Sequence, residues 1–306
     1  MFLTKLQTRS RATPLISGNA GTVPGVLHLV SDGQNRTSPF GGRYDSGLQV
    51  SVLGSFGFAA ADGSRPTLSG GAQRLLAFLA LHNDAVPRCT AAGALWPEAS
   101  DDHAGSSLRS ALSRLSSTTR DAVAVTDIDL RLADDVTVDI RASQGLARSL
   151  LEPEVASAVS TLGAGAISVL SRDLLPDWYD DWIVPEAEEW RQLRLHALES
   201  LSDLLTIEGR YAHAMSAALA ALRVEPLRES ANAAVIRVHL AEGNQANAAR
   251  EFRRYRALLQ RELGVEPTPS LFELVGLAPG IGQRRRGDRP KWADALTPGA
   301  TKPRPT

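Results

Sequence analysis

SSLRSALSRL, residues 106–115, carries Leu108, Ala111, Leu112 and Leu115 at helical spacing, which makes one apolar stripe on a helix. The opposite face holds Ser106, Ser107, Arg109, Ser110, Ser113 and Arg114, and no acid occurs from Ala104 to Arg120. A merely solvated helix face usually mixes acids with bases. Arginine offers paired donors that match guanine O6 and N7, and short hydroxyls reach phosphate oxygens at close approach. The stretch therefore predicts a helix buried on its leucines with a free face suited to the major groove of DNA. Its candidate contacts are Ser106, Ser107, Arg109, Ser110, Ser113 and Arg114. A solvated face without a partner is the alternative.

Working outward, LQVSVLGSFGF (48–58) alternates apolar and polar residues, the strand pattern, and DGSRP (62–66) is turn chemistry. GAQRLLAFLALH (71–82) predicts an apolar helix capped by Ser69, and RCTAAGALW (88–96) a second helix stopped by Pro97. The third helix has Ser100, Asp101 or Asp102 available as its cap. AVAVT (122–126), LRLA (130–133) and VTVDI (136–140) then predict short strands with acidic turns. Strands, three helices and a hairpin in this order form a winged helix-turn-helix. Arg131 in the hairpin and Arg88 at the second helix are further candidates for phosphate or minor-groove contact.

From about residue 143 the pattern becomes helical. EGRYAHAMSAALAAL begins at Glu208 and EGNQANAAREFRRYR at Glu242, which aligns Gly209 with Gly243, Ala214 with Ala248 and Ala218 with Phe252. A period of about 34 residues, with small residues where paired helices touch, is the tetratricopeptide pattern. Helices over Glu186 to Ile207 and Glu229 to Ala241 supply the first member of each pair, and Leu146 to Leu175 adds one or two more.

The expected architecture is thus an α+β winged helix-turn-helix domain followed by an all-α, tetratricopeptide-like repeat domain. The expected boundaries are a disordered leader at 1–47, a DNA-binding domain at 48–142, helical repeats at 143–275 and a disordered basic tail at 276–306. The leader is rich in Gly, Ser and Pro; the tail holds Arg284, Arg285, Arg286, Arg289 and Lys291.

A formal net charge of -1 over 306 residues gives bulk charge no say about partners, so a nucleic-acid reading rests on local patterning. A single cysteine, Cys89, excludes an internal disulfide framework and fits a reducing cytoplasm. No apolar run approaches a membrane span. LSGGAQR (68–74) is similar to the signature loop of ABC-type ATPases, but that loop works opposite a phosphate-binding lysine loop, and no lysine lies between Lys5 and Lys291. The six histidines show no metal spacing and GxSxG is absent. DWYDDW (177–182) reads as aromatics packing helices together with acids toward water. No catalytic group, metal or cofactor is expected.

These pieces together carry a resemblance. LGSFGF, LSGGAQRLLAFLALH, ALW (94–96), SSLRSALSRL and VTVDI resemble the OmpR-type winged helix of the Streptomyces antibiotic regulatory protein (SARP, AfsR-like) family. LLPDWYDDWIVPEAEEWRQLRLHALE, EGRYAHA, EPLRESA, RVHLAEGNQANA and ELGVEPTPSL resemble the bacterial transcriptional activator domain that follows it there. Ala72 stands where a basic residue is usual, and TDIDLRL lacks a glycine-aromatic pair before the last strand. The resemblance implies a cytoplasmic transcriptional activator. It would bind direct repeats in promoter DNA as a homodimer, recruit RNA polymerase and control secondary-metabolite genes. A protein-interaction adaptor whose winged helix no longer binds DNA is the other reading. The repeat domain carries no small-ligand motif, so self-association or contact with the transcription machinery is expected of it, and with no receiver, kinase or ATPase module recognised, control through abundance is expected.

Overall fold

The computed structural model describes residues 47–152 and 163–276; the expected leader, but for Gly47, and the expected tail, but for Gly276, lie outside them. Residues 48–58 form two strands rather than one. β1 (Gln49–Ser51) and β2 (Gly57–Ala59) pair antiparallel, because Gly54 takes a left-handed turn at φ 85° that a side chain would resist. Ser69 caps α1 (Gly70–Leu81) by accepting from the Ala72 amide at 3.4 Å, so LSGGAQR is a helix start. Arg141 closes the other end of α1, its Nη2 donating to the His82 carbonyl at 2.8 Å.

A short strand, β3 (Val86–Pro87), leads into α2 (Arg88–Leu95) and then α3 (Asp101–Ser113). Ser100 is the cap residue of α3 but its hydroxyl meets His103 Nδ1 at 3.0 Å rather than a backbone amide. α4 (Ser117–Arg120) is a single turn started by Ser116, whose hydroxyl accepts from the Thr119 amide. β4 (Val123–Val125) and β5 (Asp129–Leu132) form the expected hairpin, and β3 pairs with β5 on its other edge. β6 (Thr137–Val138) runs parallel to β1.

VTVDI changes structure midway. At Asp139 the chain enters α5 (Asp139–Leu151), and the Asp139 carboxylate accepts the Val52 and Leu53 amides at 2.8 and 3.1 Å. α5 thereby fastens its first residue to the N-terminal sheet and lays its body on the helices that follow. These are α6 (Ala164–Leu170), α7 (Ile183–Ile207), α8 (Tyr211–Val224), α9 (Glu229–Ala241), α10 (Gln245–Glu262) and α11 (Pro269–Leu274).

The internal repeat becomes two helical hairpins. α7 turns into α8 at Gly209 (φ 73°), and α9 turns into α10 at Gly243 (φ 82°). Ala214 and Ala248 are both fully enclosed, as are Ala218 and Phe252, so the small residues let neighbouring helices approach closely. Between the hairpins Asn232 donates to the Pro226 carbonyl at 3.1 Å. A Cβ at Gly209 or Gly243 meets nothing within 4 Å. Gly209→Ala and Gly243→Ala are therefore expected to destabilise by the backbone term alone, about 1–2 kcal/mol each. Urea unfolding with unchanged m-values is the check.

One apolar core runs from Leu48, just before β1, to Val238 in α9. The N-terminal α/β unit and the first helical hairpin thus share an interior. A second cluster, around Phe252, Tyr255 and Phe272, closes the C-terminal end.

Candidate nucleic-acid interface

α3 buries Ala104, Leu108, Ala111 and Leu112, and Leu115 follows it into the core. That registration turns Ser106, Arg109, Ser110, Ser113 and Arg114 to solvent, with Ser107 half-buried. Arg109 Nη2 donates to the Ser106 hydroxyl at 2.7 Å, and the guanidinium lies beside Gly105, where a Cβ would stand 3.6 Å from Nη1. The small residues at 105 and 106 thus give the arginine its resting place. Ser113 donates to its own helix at the Ser110 carbonyl, 3.0 Å away. Arg114 is the C-cap residue, where a cation complements the negative end of the helix dipole. Neither Arg109 nor Arg114 has a carboxylate partner among the described residues.

Asp101 and Asp102 occupy the first turn of α3. They favour the helix start and leave positive charge to its middle and C-terminal end. Arg120 lies beyond SSLRSALSRL, in α4. Its Nη1 donates to the Leu112 carbonyl at 3.3 Å, so α4 returns a third arginine to the end of α3. Following the acid-free run to its last residue would have found it.

The hairpin is differently charged. Arg131 is held by both carboxylate oxygens of Asp134. That pairing raises the guanidinium above its ordinary range and lowers the acid below its own, through the hydrogen bond first and the charge second. Asp127 and Asp135 stand exposed nearby, and Ile128 at the tip is 72% exposed. Arg88 sits at the foot of the hairpin, donating through Nη1 to the Thr126 carbonyl at 3.3 Å. The structure therefore brings the α3 candidates onto one face and leaves Arg131 neutralised by its own turn.

DWYDDW joins the two halves. Trp178 lies 5.8 Å from Phe56, and Trp182 meets Phe78 of α1 edge-on at 5.3 Å. Asp180 pairs with Arg74 of α1. The tryptophans pack as expected, but Tyr179 is 89% exposed and Asp180 faces an arginine instead of water. No helix among the described residues is long and apolar enough to cross a membrane.

Residues 135–276 match the family model of the bacterial transcriptional activator domain. Among solved structures the chain is similar to Mycobacterium tuberculosis EmbR in complex with a low-affinity phosphopeptide. That match has 22% identity and a TM-score of 0.62, and covers 75% of this chain and 64% of that one. At this identity the likeness is one of fold, and the chain spans under two thirds of that protein's length. No curated protein matches it. The described chain is thus a small α/β unit set on a helical domain of a transcriptional-regulator type. Residues 135–276 carry the bacterial transcriptional activator domain, and the chain shares its fold with EmbR over 75% of its length.

Proposed function

We propose that residues 48–142 are a winged helix-turn-helix domain that binds duplex DNA in a sequence-specific manner. Residues 143–275 then act as the activating repeat domain. The observation that carries this reading is the outer face of α3, where Arg109 and Arg114 lack carboxylate partners and serines allow close approach. α3 lies in the major groove, with Arg109 aimed at base edges and Ser106, Ser107, Ser110 and Ser113 at phosphates. Arg114, Arg120 and Arg88 meet the backbone. Asp134 holds Arg131, so the hairpin contributes little attraction.

The chain acts as an activator that engages direct repeats at promoters, as a homodimer on DNA, and recruits RNA polymerase. Secondary-metabolite genes are its proposed targets. The concave side of a helical-pair array suits the protein contact. Arg237 on α9 grips Asp203 on α7 through Nε and Nη2 at 2.9 and 3.0 Å, which ties the two helices together.

Selection of random duplexes by the full chain tests the proposal. A short repeated motif should be enriched, and its affinity should fall steeply with salt. Each phosphate neutralised contributes about 0.9 to the slope of log K against log salt. Absence of enrichment by a folded chain would favour the adaptor reading, whose support is the acidic hairpin.

A further inference from the structure

Arg194 is the one side chain among the described residues with two buried polar atoms that lack partners. Its side chain is 4% exposed; Nη2 donates to Asp173, while Nε and Nη1 donate to nothing. An enclosed guanidinium ordinarily has its donors matched. Arg194 also lines a groove of about 310 Å³ between the 173–178 segment and the first half of α7. Leu175, Trp178, Ile183 and Trp190 give that groove an apolar lining.

Asp173 is a weak match for this cation. It uses one oxygen, remains 61% exposed, and has no other side-chain partner among the described residues. A carboxylate seated on Nη1 and Nη2 together would exchange one charge-assisted hydrogen bond for two. Arg191, on the same wall, is already engaged by carboxylates at all three nitrogens: Glu188 takes Nε and Nη2, and Glu225 takes Nη1. Glu188 is occupied by the same contacts, so its charge is balanced. The groove, about 310 Å³ and open on one side, suits one small ring or branched chain plus its acid group.

We propose that this groove binds a small monocarboxylic acid with an aromatic or branched apolar body, whose carboxylate displaces Asp173 and takes the free edge of Arg194. The site lies on the junction. The Asp173 carbonyl accepts the Gly54 amide at 2.7 Å, and the Leu175 amide donates to the Val52 carbonyl at 3.0 Å. Occupancy therefore acts on the segment that holds the α/β unit, an effect on DNA affinity that rests on the function proposed above. The binding itself does not.

Calorimetric titration of the full chain with 3-phenylpropanoate, and with 3-phenylpropanamide as its uncharged match, tests the site. One equivalent of the acid should bind and the amide should not. Arg194→Gln should weaken binding by about tenfold or more. Asp173→Asn, which releases the guanidinium, should tighten it. Ala187→Phe fills the groove without touching the ion pair and should abolish it, which keeps the test independent of any folding defect at Arg194. No heat with the acid, equal binding of the amide, or unchanged binding in Ala187→Phe would overturn the proposal. Duplex binding by the same preparation separates the two readings. Operator binding with no acid site removes only the site; acid binding with no operator removes only the DNA function.

Discussion

Arg109→Ala is expected to lower affinity for the selected duplex by about 1–3 kcal/mol and to relax preference at one base pair. Arg114→Ala is expected to weaken all duplexes alike and to reduce the salt slope by about 1. The difference follows from where the two sit. Arg109 is two turns into α3 and exposed, outside the stripe buried on Leu108 and Leu112. Its guanidinium rests on Ser106, a neutral hydroxyl, at 2.7 Å. Leaving a hydroxyl for a base edge breaks no ion pair, so nearly all of the new bidentate contact appears as affinity. Arg114 ends the helix, exposed, and in the proposed docking it meets the backbone. Arg131→Ala is the internal control: Asp134 already holds that arginine, and its loss should change affinity little. Isotherms on selected and scrambled duplexes at one salt concentration distinguish these outcomes. Equal affinity of the wild type and both α3 variants would remove this helix from the interface.

The elements that could be read from sequence are those whose cause is local. The Ser69 cap, the α3 stripe and the paired EG turns at 208 and 242 each follow from periodicity or from one residue's backbone preference. What could not be read required a distant partner. Residues 48–58 look like one strand because alternation alone does not reveal that Gly54 folds the segment on itself. VTVDI looks like one strand because nothing local says that Asp139 will cap the amides of Val52 and Leu53, 87 and 86 residues away. The acids of DWYDDW look solvated until Arg74 of α1 arrives beside Asp180. The same holds for the site. The α3 face belongs to one helix and shows in its own sequence. The loss of Arg131 to Asp134 depends on the hairpin turn, and the unmatched donors of Arg194 depend on the whole junction.

Asp139→Ala is expected to destabilise the chain by about 2–6 kcal/mol, because it strands two largely enclosed backbone amides, each costing about 1–3 kcal/mol. The loss should spread to both halves. Asp139 is the first residue of α5, which packs on α7 and is tied at its start to β1. A core continuous from Leu48 to Val238 gives neither half a separate interior. Hydrogen exchange should therefore report faster opening in α1 and α7 together. Protection lost in one half alone would show the two to be independent folding units.

The same carboxyl predicts a pH dependence. Burial pushes the Asp139 carboxyl above its ordinary value, against the amides of Val52, Leu53 and Ile140 and the charge of Arg172, which act to lower it. The folded chain then holds this proton to a higher pH than the unfolded chain. Its contribution is fully present below the unfolded pKa of about 3.9 and is lost as pH rises through the folded value. Asp139→Asn cannot ionise, so the stability of the wild type relative to this variant should decline as pH is raised from about 4. Parallel urea titrations at successive pH values measure that difference. A difference that grows with pH would mean that the amides of Val52 and Leu53 outweigh burial at this position.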